Sequence, residues 1–274
     1  MNSICPTKME KIVLGADACE FCEGATRESI RLARICGSKL YAVSVIEVNQ
    51  EFEALAPKLV EEMERETRGF LQSVQLRASK EGVDCEVVAH QGEEAYEYIV
   101  AEAKQTGADM IILGRRGRKG IKRLLMGSVT AKVIGHAPCC VLVVPRKAET
   151  EFKNILLATD GSKWSQSAAA EAISIAKRMG SPITAVCVGD SEVKDPSGTV
   201  EAVVLQAGKE GVRAEGQVLA GRTYEAIIAA AKKTGADAIV MGKHGRTGFD
   251  KIMMGSVTER VIGLSECAVL VVKA

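Results

Sequence analysis

No stretch of the sequence approaches the roughly 18–20 consecutive apolar residues that a membrane span needs. The amino end, MNSICPTKME, also lacks the apolar centre of a signal peptide. The cytoplasm is therefore the expected address. Charge of one sign is lacking too: 36 Lys and Arg against 35 Asp and Glu leave a net charge of +1, which argues against a globally basic nucleic-acid binder. Aromatic residues make up only 4%, few for a surface that stacks on bases. The three histidines, His90, His136 and His244, show no metal-ligand spacing with the cysteines. The chain contains no G-x-x-x-x-G-K-[ST], and no G-x-G-x-x-G follows its first apolar run, which excludes a P-loop enzyme and a dinucleotide dehydrogenase.

With 47% hydrophobic residues, the sequence describes a globular protein. Its nine cysteines are an odd number, several set inside apolar runs such as PCCVLVV and AVCVG. That pattern fits reduced, buried thiols, and no structural disulfide is expected.

The chain repeats itself. GRRGRKGIKRLLMGSVT, Gly114 to Thr130, returns as GKHGRTGFDKIMMGSVT, Gly242 to Thr258. KIVLGAD matches NILLATD, and KEGV, TGAD and VLVV each occur twice. A period of about 130 residues is far too long for a solenoid unit and suits a whole domain. The expected domains are residues 1–147 and 152–274, joined through the polar PRKAETEF. The first is longer, chiefly between Glu47 and Ser79.

Each copy offers five β-rich runs: KIVLGA, LYAVSVIEV, CEVVAH, DMIILG and CCVLVV, then NILLAT, ITAVCV, EGQVLA, DAIVMG and CAVLVV. Helical patterns lie between them, ending at Gly37, Gly107 and Gly180. Strands that are apolar along their length and alternate with helices belong to a parallel sheet covered on both faces. The expected fold class is α/β, with two repeated doubly wound domains, each a five-stranded parallel sheet with helices on both faces.

The repeated phrase joins the carboxyl end of a strand to the amino end of a helix, with Ser128 and Ser256 read as helix N-caps. Ligands of open α/β sheets bind at that end, and a helix amino terminus attracts anions. Glycines let backbone N–H groups approach a phosphate, although a single loop of this kind reads equally well as a plain turn. Finding the G-x-x-G-x9-G-S spacing twice favours the phosphate role.

These residues resemble the universal stress proteins, whose ATP-binding members carry G-x2-G-x9-G-[ST] after the fourth strand and an aspartate after the first. The resemblance covers essentially the whole chain and implies a tandem of two such domains. It implies adenine contacts from Asp17 and Val45 in the first copy and from Asp160 and Val188 in the second. Phosphates would fall to Gly114, Gly117, Gly127 and Ser128, and to Gly242, Gly245, Gly255 and Ser256. The ligand implied is ATP or AMP, with Mg2+ accompanying ATP, and the role regulatory in a stress response. An enzyme of the same α/β type acting on ATP or an adenylated substrate is the alternative. The family pairs domains through their last strands, here Cys140 to Val144 and Ala268 to Val272, which implies a pseudo-twofold pair within one chain and admits a homodimer of chains.

The first copy departs from this pattern, with DACEFCE where the second has DGSKWSQ, so that Cys19 stands against Ser162 and Cys22 against Ser165. A C-x-x-C at a helix start is also how a redox pair looks. Replacement of buried hydroxyls by thiols is the favoured reading. The cluster Arg115, Arg116, Arg118, Lys119, Lys122 and Arg123 reads as a solvated or phosphate-facing loop, and nucleic acid is not the expected partner. Val60, Met63, Phe70, Leu71 and Val74 mark an amphipathic helix expected to cover its own sheet. No catalytic residue is assigned, since His244 faces Arg116 and Asp250 faces Lys122 across the repeat.

Overall fold

A computed structural model describes Cys5 and residues 9–116, 126–189, 193–246 and 254–273. The first half runs β1 (Lys11–Gly15), α1 (Glu23–Cys36), β2 (Lys39–Glu47), α2 (Gln50–Leu55), α3 (Pro57–Lys80), β3 (Cys85–Gly92), α4 (Ala95–Thr106), β4 (Met110–Gly114), α5 (Ser128–His136) and β5 (Cys140–Val144). The second runs β6 (Ile155–Ala158), α6 (Lys163–Met179), β7 (Ile183–Val188), α7 (Pro196–Lys209), β8 (Ala214–Leu219), α8 (Thr223–Thr234), β9 (Ala238–Gly242), α9 (Ser256–Leu264) and β10 (Ala268–Val272). Gly37 and Gly180 end α1 and α6 in the left-handed conformation, at φ 66° and 68°, which glycine adopts without a Cβ penalty.

Among the described residues ten strands form one sheet in the order β3-β2-β1-β4-β5-β10-β9-β6-β7-β8. Every pairing within a half is parallel, and the protein is α/β with two similar halves. The halves meet where β5 and β10 pair antiparallel, with Val143 opposite Val269, Leu142 opposite Leu270 and Val141 opposite Val271. Leu142 and Leu270 are equivalent positions of the repeat, so a local pseudo-twofold axis passes between them. Strands such as VLVV would otherwise present an apolar edge, and pairing covers it. A large buried apolar cluster lies on each face of the sheet, and both of these draw residues from the two halves.

One feature departs from expectation. Cys5 and Cys36 form a disulfide, with Cα atoms 4.5 Å apart. Cys5 lies outside the apolar runs on which the expectation of reduced thiols rested, and its partner Cys36 is the last residue of α1. The connection between the halves is anchored. Ala148, Thr150 and Phe152 are buried along it, and the carboxylate of Glu28, itself 1% exposed, accepts from the Thr150 N–H at 3.2 Å. Arg31 binds that carboxylate through Nε at 2.8 Å and also donates to the Thr150 carbonyl. Arg27 meets Glu28 at 3.2 Å and donates to the Ala148 carbonyl. No helix among the described residues is long and apolar enough to cross a membrane.

Candidate functional site

In each half the strand order reverses beside the first strand: the chain steps outward from β1 through β2 to β3, then returns to place β4 on the other side. Connections leave the sheet in opposite directions there and open a crevice beyond the carboxyl ends of the strands. In the first half the crevice is a cavity of about 200 Å³, whose walls include Asp17, Val45, Gly114, Gly127 and Ser128. Gly117 lies outside the described residues. In the second half Asp160, Val188, Gly242, Gly245, Gly255 and Ser256 all line a cavity of about 150 Å³.

The glycines divide by job. A Cβ on Gly242 would stand 2.8 Å from the Trp164 backbone, and one on Gly114 would stand 3.0 Å from the Phe21 carbonyl. These two let the start of the first helical segment of the same half press against the strand end, a packing role that needs no ligand. A Cβ on Gly245 would come 2.8 Å from Asp160 Oδ2. Gly255 differs: its φ of −66° and ψ of 144° are open to any residue, and a Cβ there would find Lys243, His244 and Gly245 at 3.5 Å or more. A positive φ is therefore no part of its role.

The helix caps also fall one residue earlier than expected. Gly127 and Gly255 are the N-caps of α5 and α9, while Ser128 and Ser256 are the first helical residues and make no capping hydrogen bond. Both serines are exposed at the helix amino terminus, placed to donate to an anion rather than to cap.

The repeated threonine is the part of the phrase whose role sequence reasoning missed. Thr130 Oγ1 donates to the Gly114 carbonyl at 3.0 Å, and Thr258 Oγ1 donates to the Gly242 carbonyl at 3.1 Å, both buried. The loop ends are tied again by Gly127 N–H to Arg115 O at 2.9 Å and by Gly255 N–H to Lys243 O at 3.0 Å. Strand end and helix start are thus pinned together in each half. Replacing Thr258 by the near-isosteric valine is expected to lower stability by about 1–2 kcal/mol, because a buried carbonyl loses its donor. Urea unfolding would measure it, and Thr130→Val is expected to match.

The aspartates are held differently. Asp160 is half-buried and accepts from the Arg246 N–H at 2.9 Å and the Ser162 N–H at 3.0 Å. Ser162 caps α6 by accepting from the Ser165 N–H at 3.3 Å. Behind it, the Thr159 hydroxyl lies 3.2 Å from that of Ser165. In the first half Ala16, Cys19 and Cys22 take the places of Thr159, Ser162 and Ser165. Cys19 makes no side-chain cap, and the Cys22 thiol turns to Asp17 Oδ1 at 2.9 Å.

Of the basic cluster, Arg115 and Arg116 are among the described residues. Arg115, expected at the phosphate loop, reaches instead into the other half and donates to the Ser265 carbonyl at 3.0 Å, just past α9. Burial holds its guanidinium below the usual arginine range, with the Arg116 charge adding to the effect. Lys243, its counterpart in the repeat, donates to the Gly135 carbonyl in α5 at 2.5 Å. Each cation thus meets the negative end of the other half's last helix. Arg116 remains at the first cavity, and Arg118, Lys119, Lys122 and Arg123 lie outside the described residues. The amphipathic helix of the first half is α3, and it does more than cover the sheet, since Met63 and Thr67 help wall the first cavity.

Comparison with known proteins bears on this geometry. The family model described as "Universal stress protein family" matches twice, over residues 8–145 and 151–273. A universal stress protein of Methanocaldococcus jannaschii is 37% identical over 146 residues, spanning 47% of this chain and 86% of its own. One from Synechocystis is 31% identical over 149 residues, 49% of this chain and 96% of its own. The crystal structure of a universal stress protein from Archaeoglobus fulgidus superposes with a TM-score of 0.74 at 21% identity, covering 96% of this chain and 98% of that one, a likeness of fold.

Proposed function

The chain belongs to the universal stress protein family, carrying its domain twice, and on that premise we propose that it is a regulatory protein binding an adenine nucleotide, ATP or AMP, in each half. The observation that carries this reading is a cavity built twice at the switch point, with complementary ends. One end offers backbone N–H groups, an exposed serine and a helix amino terminus, which suit phosphate. The other offers a half-buried aspartate beside apolar β-strand ends, Asp17 with Val45 and Asp160 with Val188, which suit an exocyclic amine on a flat apolar ring. Gly114, Gly117, Gly127 and Ser128, and Gly242, Gly245, Gly255 and Ser256, would hold the phosphates. Mg2+ would accompany ATP, neutralising phosphate charge.

Titration calorimetry with ATP and with AMP tests this, alongside mass spectrometry of ligand released from the purified protein. Retention with at most slow hydrolysis is expected on incubation with ATP and Mg2+; several turnovers per minute would favour an enzyme. Protein that carries no nucleotide and takes none up would overturn the reading.

The two halves are expected to differ, with the second binding more tightly. Asp160 is oriented by two backbone N–H donors and Ser162 caps the adjoining helix, whereas Asp17 is engaged by a thiol. Asp160→Ala is expected to weaken the tighter site by roughly tenfold, on the scale of one hydrogen bond to a charged group. A larger loss from Asp17→Ala would reverse the ranking, and equal small losses would remove the adenine role from both.

A further inference from the structure

The first half holds a feature that the second lacks and that nucleotide binding does not require. Cys19 and Cys22 lie three residues apart on the turn leading into α1, side chains at that spacing face one another, and their sulfurs are 3.5 Å apart. Cys19 is half-buried and Cys22 buried. Asp17 completes the cluster, its Oδ1 accepting from the Cys22 thiol at 2.9 Å. The ligand atoms of these three residues lie within 4.8 Å of one another, but two sulfurs and one oxygen fall short of the four donors of a structural zinc site.

We propose that Cys19 and Cys22 form a redox-active dithiol that exchanges with disulfide substrates, with Cys19 as the attacking thiol, Cys22 as the resolving thiol and Asp17 as the proton acceptor. Cys19 ionises by releasing its proton to water, and its thiolate attacks one sulfur of the substrate disulfide; that S–S bond breaks, one substrate thiolate leaves and takes a proton back from water, and a mixed disulfide forms on Cys19. The Cys22 thiol passes its proton to Asp17 and attacks Cys19 Sγ. The mixed disulfide breaks, and the second substrate thiolate leaves and takes up the proton. Two electrons pass from the protein's thiols to the substrate, which is reduced to two thiols as the Cys19–Cys22 bond forms.

The surroundings assign the roles. The close contact with the Cys22 sulfur holds the Cys19 thiol below its ordinary range, against the opposing effects of burial and Asp17. Cys22 is pushed far upward by its hydrogen bond with Cys19, by burial and by the Asp17 charge, so it stays protonated until a base takes its proton. The amino terminus of α1 begins at Glu23, immediately after Cys22, and its dipole favours a thiolate. Thiols elsewhere are in the opposite state: burial raises Cys85 to about 11, Cys139 to about 12 and Cys140 to about 11. The second half, with Ser162 and Ser165 in these places, supplies an internal control. Asp17 also faces the adenine proposed for this cavity, so the exchange is expected of the nucleotide-free protein.

The test uses the full chain, reduced at Cys19 and Cys22, placed in graded ratios of reduced to oxidised glutathione with a chelator present, then alkylated and mapped by peptide mass spectrometry. A Cys19–Cys22 disulfide is expected to form before Cys85, Cys139 or Cys140 reacts. Cys22→Ser is expected to trap glutathione on Cys19. Asp17→Asn is expected to slow resolution at least about tenfold, so that the mixed disulfide accumulates, as loss of a positioned base predicts. Wild-type protein that keeps both thiols, or that holds glutathione on Cys19 without resolving it, would overturn the proposal. So would modification of Cys85, Cys139 or Cys140 ahead of Cys19.

Discussion

Replacing Glu28 by alanine is expected to lower the unfolding free energy by about 3 kcal/mol, the scale on which removal of one partner from a buried ion pair is felt. The carboxylate is almost fully buried, receives two arginines and accepts the Thr150 N–H. Removal leaves that N–H unsatisfied at a fully buried residue and leaves Arg31, only 22% exposed, without its counter-charge. Glu28→Gln keeps an acceptor for Thr150 and is expected to lose about half as much. The damage should concentrate at the connection between the halves. Limited proteolysis is expected to cut faster between Arg146 and Lys153, because backbone that loses its anchors becomes accessible to a protease. A stability unchanged within about 0.5 kcal/mol, with no faster cleavage, would show that solvent and neighbouring groups replace the carboxylate fully.

Gly255→Val is expected to weaken nucleotide binding in the second half by about 100-fold while the protein stays folded. Its backbone lies in a region open to any residue, so the folded state should lose no more than about 1 kcal/mol, for a poorer N-cap. The new Cβ would project toward the Lys243 carbonyl, the His244 Cα and the Gly245 N–H, and the rest of the side chain would crowd the loop assigned to phosphate. Losing one or two charge-assisted hydrogen bonds there corresponds to the stated drop. Gly242→Val makes the contrast, since its Cβ would collide with Trp164, and unfolding rather than selective loss of binding is expected. Calorimetry and thermal melts on both variants distinguish the cases. Unchanged affinity in folded Gly255→Val protein would make the loop structural.

The features legible in the sequence were those set by local pattern. Apolar runs gave the strands, glycines marked the ends of α1, α4 and α6, and the doubled phrase pointed to the crevice beyond β4 and β9, because each rests on residues close together in the chain. The features missed depend on residues far apart. Glu28 and Thr150, Cys5 and Cys36, and Arg115 and Ser265 meet only once the sheet is complete, and no spacing rule joins them. The cap assignment slipped by one residue because an N-cap is defined by backbone angles, and a Gly-Ser pair can place either residue at the boundary. Thr130 and Thr258 stood in plain sight inside the repeated phrase. Their buried bonds to Gly114 and Gly242 could have been suspected from a β-branched hydroxyl at a helix's third position facing the strand end.

The seam between β5 and β10 has a consequence for how the two halves can diverge. Two separate copies of one domain, pairing through the same strands, would form a symmetric dimer in which every change appears in both members at once. Tethering replaces an encounter that depends on protein concentration with an intramolecular one, at an effective concentration in the millimolar range for a short connection. Pairing is then assured whatever else each half becomes. The seam keeps its self-matching valines and leucines, while one crevice carries thiols and its twin carries hydroxyls. Covalent linkage thus releases the molecule from its own symmetry, leaving two unlike crevices in fixed one-to-one ratio.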